Sequence, residues 1–215
     1  MGIFSKLFSS RRSKEESYNE EEKIVFYDKN GNEMFMPKKD YKEKVLPEQF
    51  KTNWNNPHEL YTVIIMSLRD GFIKDVLNPS ERLFEIDSNK ERSYTVRAIA
   101  LLKNGFINRS KKILEEYCKK YGPTGVILTN LAKVYAENNN QEKCIEILWE
   151  AIQMDPNQDN GLIWWAAIQR DKGGKEQYIS ALKQASEIQG SWRPQLYLAK
   201  EYFEDKKRRK SSTNI

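Results

Sequence analysis

The sequence predicts an all-α repeat fold: a solenoid of paired helices over residues 57–206, preceded by a small β-hairpin and short capping helices. Three observations predict it. Gly71, Gly105, Asn139 and Gly173 recur 34 residues apart, and all four are residue types that tolerate a left-handed backbone. In register with them run a large apolar column (Leu60, Tyr94, Leu128, Leu162) and a mostly small one (Ile64, Ala98, Ala132, Ala166). Small residues let paired helices approach, and large ones fill the space between pairs. Near the N-terminus, Asn30-Gly31 separates two strand-like runs, the strongest short-range hairpin signal.

Residues 1–22 are polar after Phe8 and are expected to be a disordered tail. Phe4, Leu7 and Phe8, beside Lys6, Arg11 and Arg12, also have the composition of a short membrane-surface helix. Residues 23–56 are expected to form an N-terminal cap. Lys23-Ile-Val-Phe-Tyr27 and Glu33-Met-Phe-Met36 make the hairpin. Short helical pieces around Pro37 and Pro47 then turn Tyr41, Val45, Leu46 and Phe50 inward. A lone hairpin is marginal in water, so this one is expected to pack on the first helix pair.

Block 57–90 opens on a cap, Asn56, with Pro57 at the first helical position. It is degenerate, because Pro79 falls inside its expected second helix. Block 91–124 carries Arg97 at an apolar position. Blocks 125–158 and 159–192 follow. Residues 193–206 are expected to be a capping helix that hides the apolar face of the last pair, with Leu196, Leu198, Ala199 and Tyr202. Residues 207–215 are expected to be a basic disordered tail.

Composition narrows the function. With 39% hydrophobic and 31% charged residues, the chain suits a fold with much surface per unit of core. No run of about 18 apolar residues is present, so no spanning helix is expected. The start lacks a signal-peptide core, and Lys6 takes the Ser/Thr place of a myristoylation pattern. A cytoplasmic protein is expected. The net charge of +5 sits in one run, Lys206-Lys-Arg-Arg-Lys210. The body is close to neutral, which argues against a specific nucleic-acid face and leaves nonspecific contact through that run as an alternative.

Chemistry is sought and not found. Cys118 and Cys144 lack knuckle or redox spacing and are expected to be reduced and mostly buried. His58 stands alone in the first turn of a helix, with no oriented partner or nucleophile marked nearby. Gly173-Gly174 is an interhelical turn, with no Walker lysine after it. No enzymatic activity, catalytic residue, metal or cofactor is expected.

The block 125–158 carries Leu128, Leu131-Ala132, Tyr135, Cys144, Leu148, Ala151 and Asp155-Pro156. This large–small–aromatic, small–large–small, proline order resembles the tetratricopeptide repeat (TPR) family, with Cys144 in place of the usual alanine. Block 159–192 departs from it at Gln169 and lacks the closing proline. The wording of residues 123–169 is similar to that of bacterial TPR proteins. The resemblance implies a right-handed TPR-like solenoid whose first helices line a concave groove. Carried onto this sequence, the groove residues are Tyr61, Thr95, Ile99, Thr129, Asn130, Lys133, Trp164, Ala167 and Arg170, with Thr62, Ile65, Val96 and Ile163 beside them.

An asparagine amide at Asn130 suits both the N–H and the C=O of an extended peptide. Lys133 and Arg170 either hold a carboxylate or are simply solvated, and Trp164 offers a rigid platform. Trp165, its neighbour, points elsewhere and is expected in the core. The clamp for heat-shock-protein tails is not expected, because only Asn130 and Lys133 fit its basic and asparagine set. The expected function is a protein–protein interaction scaffold or adaptor that binds a peptide or helix of a partner protein. The alternative is a membrane-peripheral assembly factor anchored by Phe4–Phe8.

Overall fold

A computed structural model describes residues 22–27 and 30–212 of the chain. The disordered tail expected over residues 1–22, with the Phe4–Phe8 anchor, lies outside the described residues except for Glu22. Among the described residues, strands β1 (Lys23–Tyr27) and β2 (Glu33–Pro37) pair antiparallel, from Lys23 opposite Pro37 to Tyr27 opposite Glu33. The Lys38 amide adds a rung to the Glu22 carbonyl at 2.8 Å. Gly31 takes the positive φ of 80° that the reversal needs.

A helical run follows: α1 (Lys38–Asp40), a π-helical turn (Tyr41–Val45) and α2 (Leu46–Asn53). Then come α3 (Pro57–Arg69), α4 (Leu77–Ile86), α5 (Lys90–Lys103), α6 (Ile107–Tyr121), α7 (Gly125–Glu137), α8 (Gln141–Met154), α9 (Asp159–Ser186) and α10 (Arg193–Ser212). These form two compact units, divided between Ile113 and Leu114 within α6.

In the first unit, Tyr41, Leu46 and Phe50 are buried with Leu60, Ile64, Phe72 and Leu83 in one core, as their spacing predicts. Ile24 and its cross-strand partner Met36 pack against that core, so the hairpin is anchored there. Each such buried side chain stabilises the unit by about 1.5–3 kcal/mol. Pro79 is not in the helix interior as expected. α4 starts at Leu77, so Pro79 lies in the first turn, where its missing N–H breaks no helical bond.

The helix ends explain the period. Asn56, Asn89, Thr124 and Gln158 cap α3, α5, α7 and α9 through their side chains, which satisfies backbone donors that would otherwise be orphaned. Gly71 and Gly105 have φ of 87° and 83°, and Asn139 has 56°. After each, the next amide reaches back five residues: Phe72 to Ser67, Phe106 to Leu101, Asn140 to Tyr135, each at 2.9 Å. That bond closes a Schellman turn.

The fourth turn corrects the expectation. Gly173 has φ −149°, and Gly174 is the residue with positive φ, at φ 68° and ψ −156°. Two adjacent glycines let the chain kink by a different route, dividing α9 into two arms. Gly174 occupies a region open essentially to glycine alone. Gly174→Ala is therefore expected to destabilise the second unit by about 1–3 kcal/mol, read as a lower urea midpoint at unchanged slope.

In the second unit α7 packs on α8, α8 on α9 and α9 on α10. The core holds Leu128, Leu131, Ala132, Leu148, Ala151, Leu162 and Leu182, with Cys144 fully buried. Trp165 is buried as expected and stacks on Trp149, centroids 4.6 Å apart. Two expectations fail on α10. The basic run after residue 206 is not a disordered tail from its start, because the helix continues through Ser212. Lysine, arginine and glutamate are good helix formers, and no glycine or proline interrupts them. Nor do all the apolar residues expected to seal the stack turn inward: Leu198 is half-buried, but Leu196, Ala199 and Tyr202 are exposed, as are Trp192 and Phe203.

Candidate protein-binding surface

The residues expected to line a groove lie on the first helix of each pair, and each unit presents its own set. In the first unit these helices are α3 and α5. Tyr61 is half-buried, and the Arg92 guanidinium lies 5.1 Å from its ring centre. Thr95 and Ile99 are half-buried, and Ile65 and Met66 are exposed. The Thr95 hydroxyl oxygen is buried without a hydrogen-bond partner among the described atoms.

Beneath this face lies polar chemistry that the repeat pattern does not announce. Arg97, at the apolar position, is buried. Its Nη1 donates to the Leu77 carbonyl at 2.7 Å and to Ser80 Oγ at 3.0 Å, and its Nη2 lies 3.3 Å from Glu81. The guanidinium stitches α5 to the start of α4. Asp87 is 1% exposed and accepts from Arg92 at 2.7 and 2.9 Å and from the Asn89 amide at 2.9 Å. Burial works to raise its pKa, but these donors outweigh it and hold the carboxyl below its ordinary range.

In the second unit the helices are α7 and the first arm of α9. Thr129 is buried and donates to Gln158 Oε1 at 2.8 Å, which also accepts from the Gly161 amide at 3.2 Å. Asn130 is buried, and its Nδ2 donates to the Val126 carbonyl one turn back at 2.9 Å. Trp164 is only 8% exposed. A ligand reaches these three only if neighbouring side chains move. Ile163 is exposed, and Lys133 and Ala167 are half-buried.

Arg170 is exposed, but it is engaged within its own unit. Its guanidinium lies 3.8 Å from the Tyr178 ring centre, and Nη2 is 3.6 Å from Glu201 of α10. Lys175 pairs with Glu201 at 3.6 Å and with Asp205. Tyr197 donates to Asp159 at 2.5 Å and Arg193 pairs with it at 2.7 Å. The Tyr197 bond and then Arg193 depress the Asp159 pKa. The inward side of α10 thus sets Tyr197, Glu201 and Asp205 beside buried Pro194 and half-buried Leu198, and the helical spacing of the three polar residues is the one sign of this cluster in the sequence.

Burial pushes the Cys144 thiol up to about 12 and raises that of Cys118, so neither is an activated nucleophile. His58 is exposed, and its backbone amide donates to the Asn56 cap. Among the described residues no group of three or more His, Cys, Asp or Glu side chains is placed to hold a metal. No helix of the described residues is long and apolar enough to cross a membrane.

The helix pairs, their capped starts and their left-handed turns define a TPR-type helix-repeat fold. A solved structure supports this directly: TTC0263, a thermophilic TPR protein of Thermus thermophilus, matches with a TM-score of 0.55 at 15% identity, over 74% of this chain and 87% of that one. Looser matches are YrrB, a TPR protein with an unusual peptide-binding site (TM-score 0.43, 12% identity, 68% and 75% covered), and MamA from Desulfovibrio magneticus RS-1 (0.47, 18%, 68% and 84%). No family model and no curated protein matches the sequence. The chain therefore has a TPR-like helical solenoid fold with a small N-terminal hairpin.

Proposed function

We propose that the protein is a non-enzymatic interaction scaffold that binds a peptide or helix of a partner protein on the first-helix faces of its repeats. One observation carries this reading: large apolar side chains stay exposed on those faces, Ile65 and Met66 on α3 and Ile163 on α9. Ile65 and Ile163 stand in the columns that the TPR resemblance assigns to the groove. Exposed apolar side chains in functional columns are what a partner would cover.

The contact residues of the proposal are Tyr61, Thr95 and Ile99 in the first unit, and Lys133, Ala167 and Arg170 in the second. Thr129, Asn130 and Trp164 shape the face from beneath. Arg170 joins a ligand carboxylate only by exchanging it for Glu201. The two free cysteines fit the reducing cytoplasm. The membrane-anchored alternative rests on Phe4–Phe8, outside the described residues.

The test is a quantitative pull-down from the native host with the full chain. Ile163→Glu with Ile65→Glu is expected to lose about tenfold or more of its specific partners' recovery. Lys112→Glu, on an exposed position of a second helix, is expected to keep them. Retention of every partner by the double variant sinks the proposal.

A further inference from the structure

The outward face of α10 breaks a rule that the rest of the chain obeys. The column Leu60, Tyr94, Leu128, Leu162 is 0–5% exposed in four successive repeats. Its fifth member, Leu196, is 59% exposed. The neighbouring column Ile64, Ala98, Ala132, Ala166 is likewise buried, while its fifth member, Lys200, is exposed. A terminal repeat ordinarily presents polar residues here. This one presents Trp192, Leu196, Ala199 and Phe203, the last at 71% exposure.

Those four residues are spaced four, three and four apart. That is the spacing of a seam with which one helix receives another, and exposed Tyr202 lies beside it. Lys206 takes the next place on the seam and ends it. The start of the helix is tied to the preceding repeat. Asn157 Oδ1 accepts the amides of Trp192 and Arg193 at 2.8 and 3.0 Å, capping α10 from a preceding loop.

Charge selects among occupants. Two acidic residues of α10 turn inward, Glu201 to Arg170 and Lys175, and Asp205 to Lys175, while the third, Glu204, is half-buried. The exposed charges beside the seam are Lys200 and Lys206. A second copy pairing antiparallel about Ala199 would set Lys200 against Lys200. The seam stands where each earlier repeat receives its second helix, which favours a helix over a lipid surface. We infer that the Trp192–Phe203 seam of α10 docks an amphipathic helix of a partner protein that carries acidic residues beside its apolar stripe, in the place a second helix takes in the earlier repeats.

The probe is a fluorescent peptide copied from Gln141–Met154, an acidic second helix of this chain, with Cys144→Ala. Its control has Glu142, Glu146 and Glu150 changed to lysine. Anisotropy titration with the full chain is expected to show the acidic peptide binding about tenfold more tightly than the control, and more weakly as salt rises. Leu196→Ser with Phe203→Ser is expected to lose about tenfold or more in affinity. Both replaced residues are exposed, and unchanged circular dichroism verifies the fold. Equal binding of the two peptides, or of the two proteins, overturns the inference. So does a Phe203-dependent dimer in sedimentation velocity, or Phe203-dependent binding to phosphatidylserine-rich vesicles, in place of peptide binding.

Discussion

Arg92→Met is expected to destabilise the first unit by about 3 kcal/mol or more, because it leaves the Asp87 carboxylate buried without its cation. Asp87 is 1% exposed, and both its oxygens accept from Arg92. Asp87→Asn is expected to cost less. It removes the charge but keeps an acceptor for the Asn89 amide, and the half-buried Arg92 can turn to water. The double variant is expected to cost less than the sum of the singles, since the stranded charge is gone. Thermal melts of the three variants read this, with Arg92→Met lower than wild type by roughly 10 °C. Strict additivity would show that the pair is not coupled.

The same contact has a pH signature. The Asp87 pKa is depressed in the fold, so its contribution is complete above the unfolded value of about 3.9. It is lost as the pH falls through the still lower folded value. The stability gap between wild type and Asp87→Asn is expected to be full at neutral pH and to close in the range below about pH 4. A gap that is flat across that range would mean the carboxylate is not held this way.

The second large effect is in the other unit. Trp165→Ala is expected to cost about 3–5 kcal/mol. It empties a buried volume and removes the stack on Trp149, whose planes meet at 29°. Trp165→Phe keeps an aromatic partner and is expected to recover part of the loss. Urea unfolding followed by circular dichroism separates the two. A loss under about 1 kcal/mol for the alanine would place the indole outside the core.

The repeat was legible because its causes are local. A Schellman turn needs a left-handed residue, so Gly71, Gly105 and Asn139 announce themselves one by one, and the helix cap at Asn56 does the same. The apolar columns follow from a fixed helical period, and local turn chemistry put the Asn30-Gly31 hairpin at the front. Even here, a choice between neighbours was out of reach. Gly173 and Gly174 are both permissive, and which takes the positive φ depends on how the two arms of α9 pack.

The groove residues were less legible, because spacing gives a column and not an exposure. Asn130 and Trp164 sit in the expected column but are covered by their neighbours, while Ile163 beside them is open. Arg97 reads as a flaw in an apolar stripe until the Leu77 carbonyl and Ser80 are found beside it. Arg170 reads as a free cation until α10 brings Glu201 to it. The helix pairs and the neutral body could be read from the chain alone, since each depends on residues close in sequence. Which faces are covered could not. Burial is set by what packs on a helix from elsewhere, and that is why α10, whose apolar residues suggest a sealed cap, instead presents Trp192, Leu196 and Phe203 to the outside.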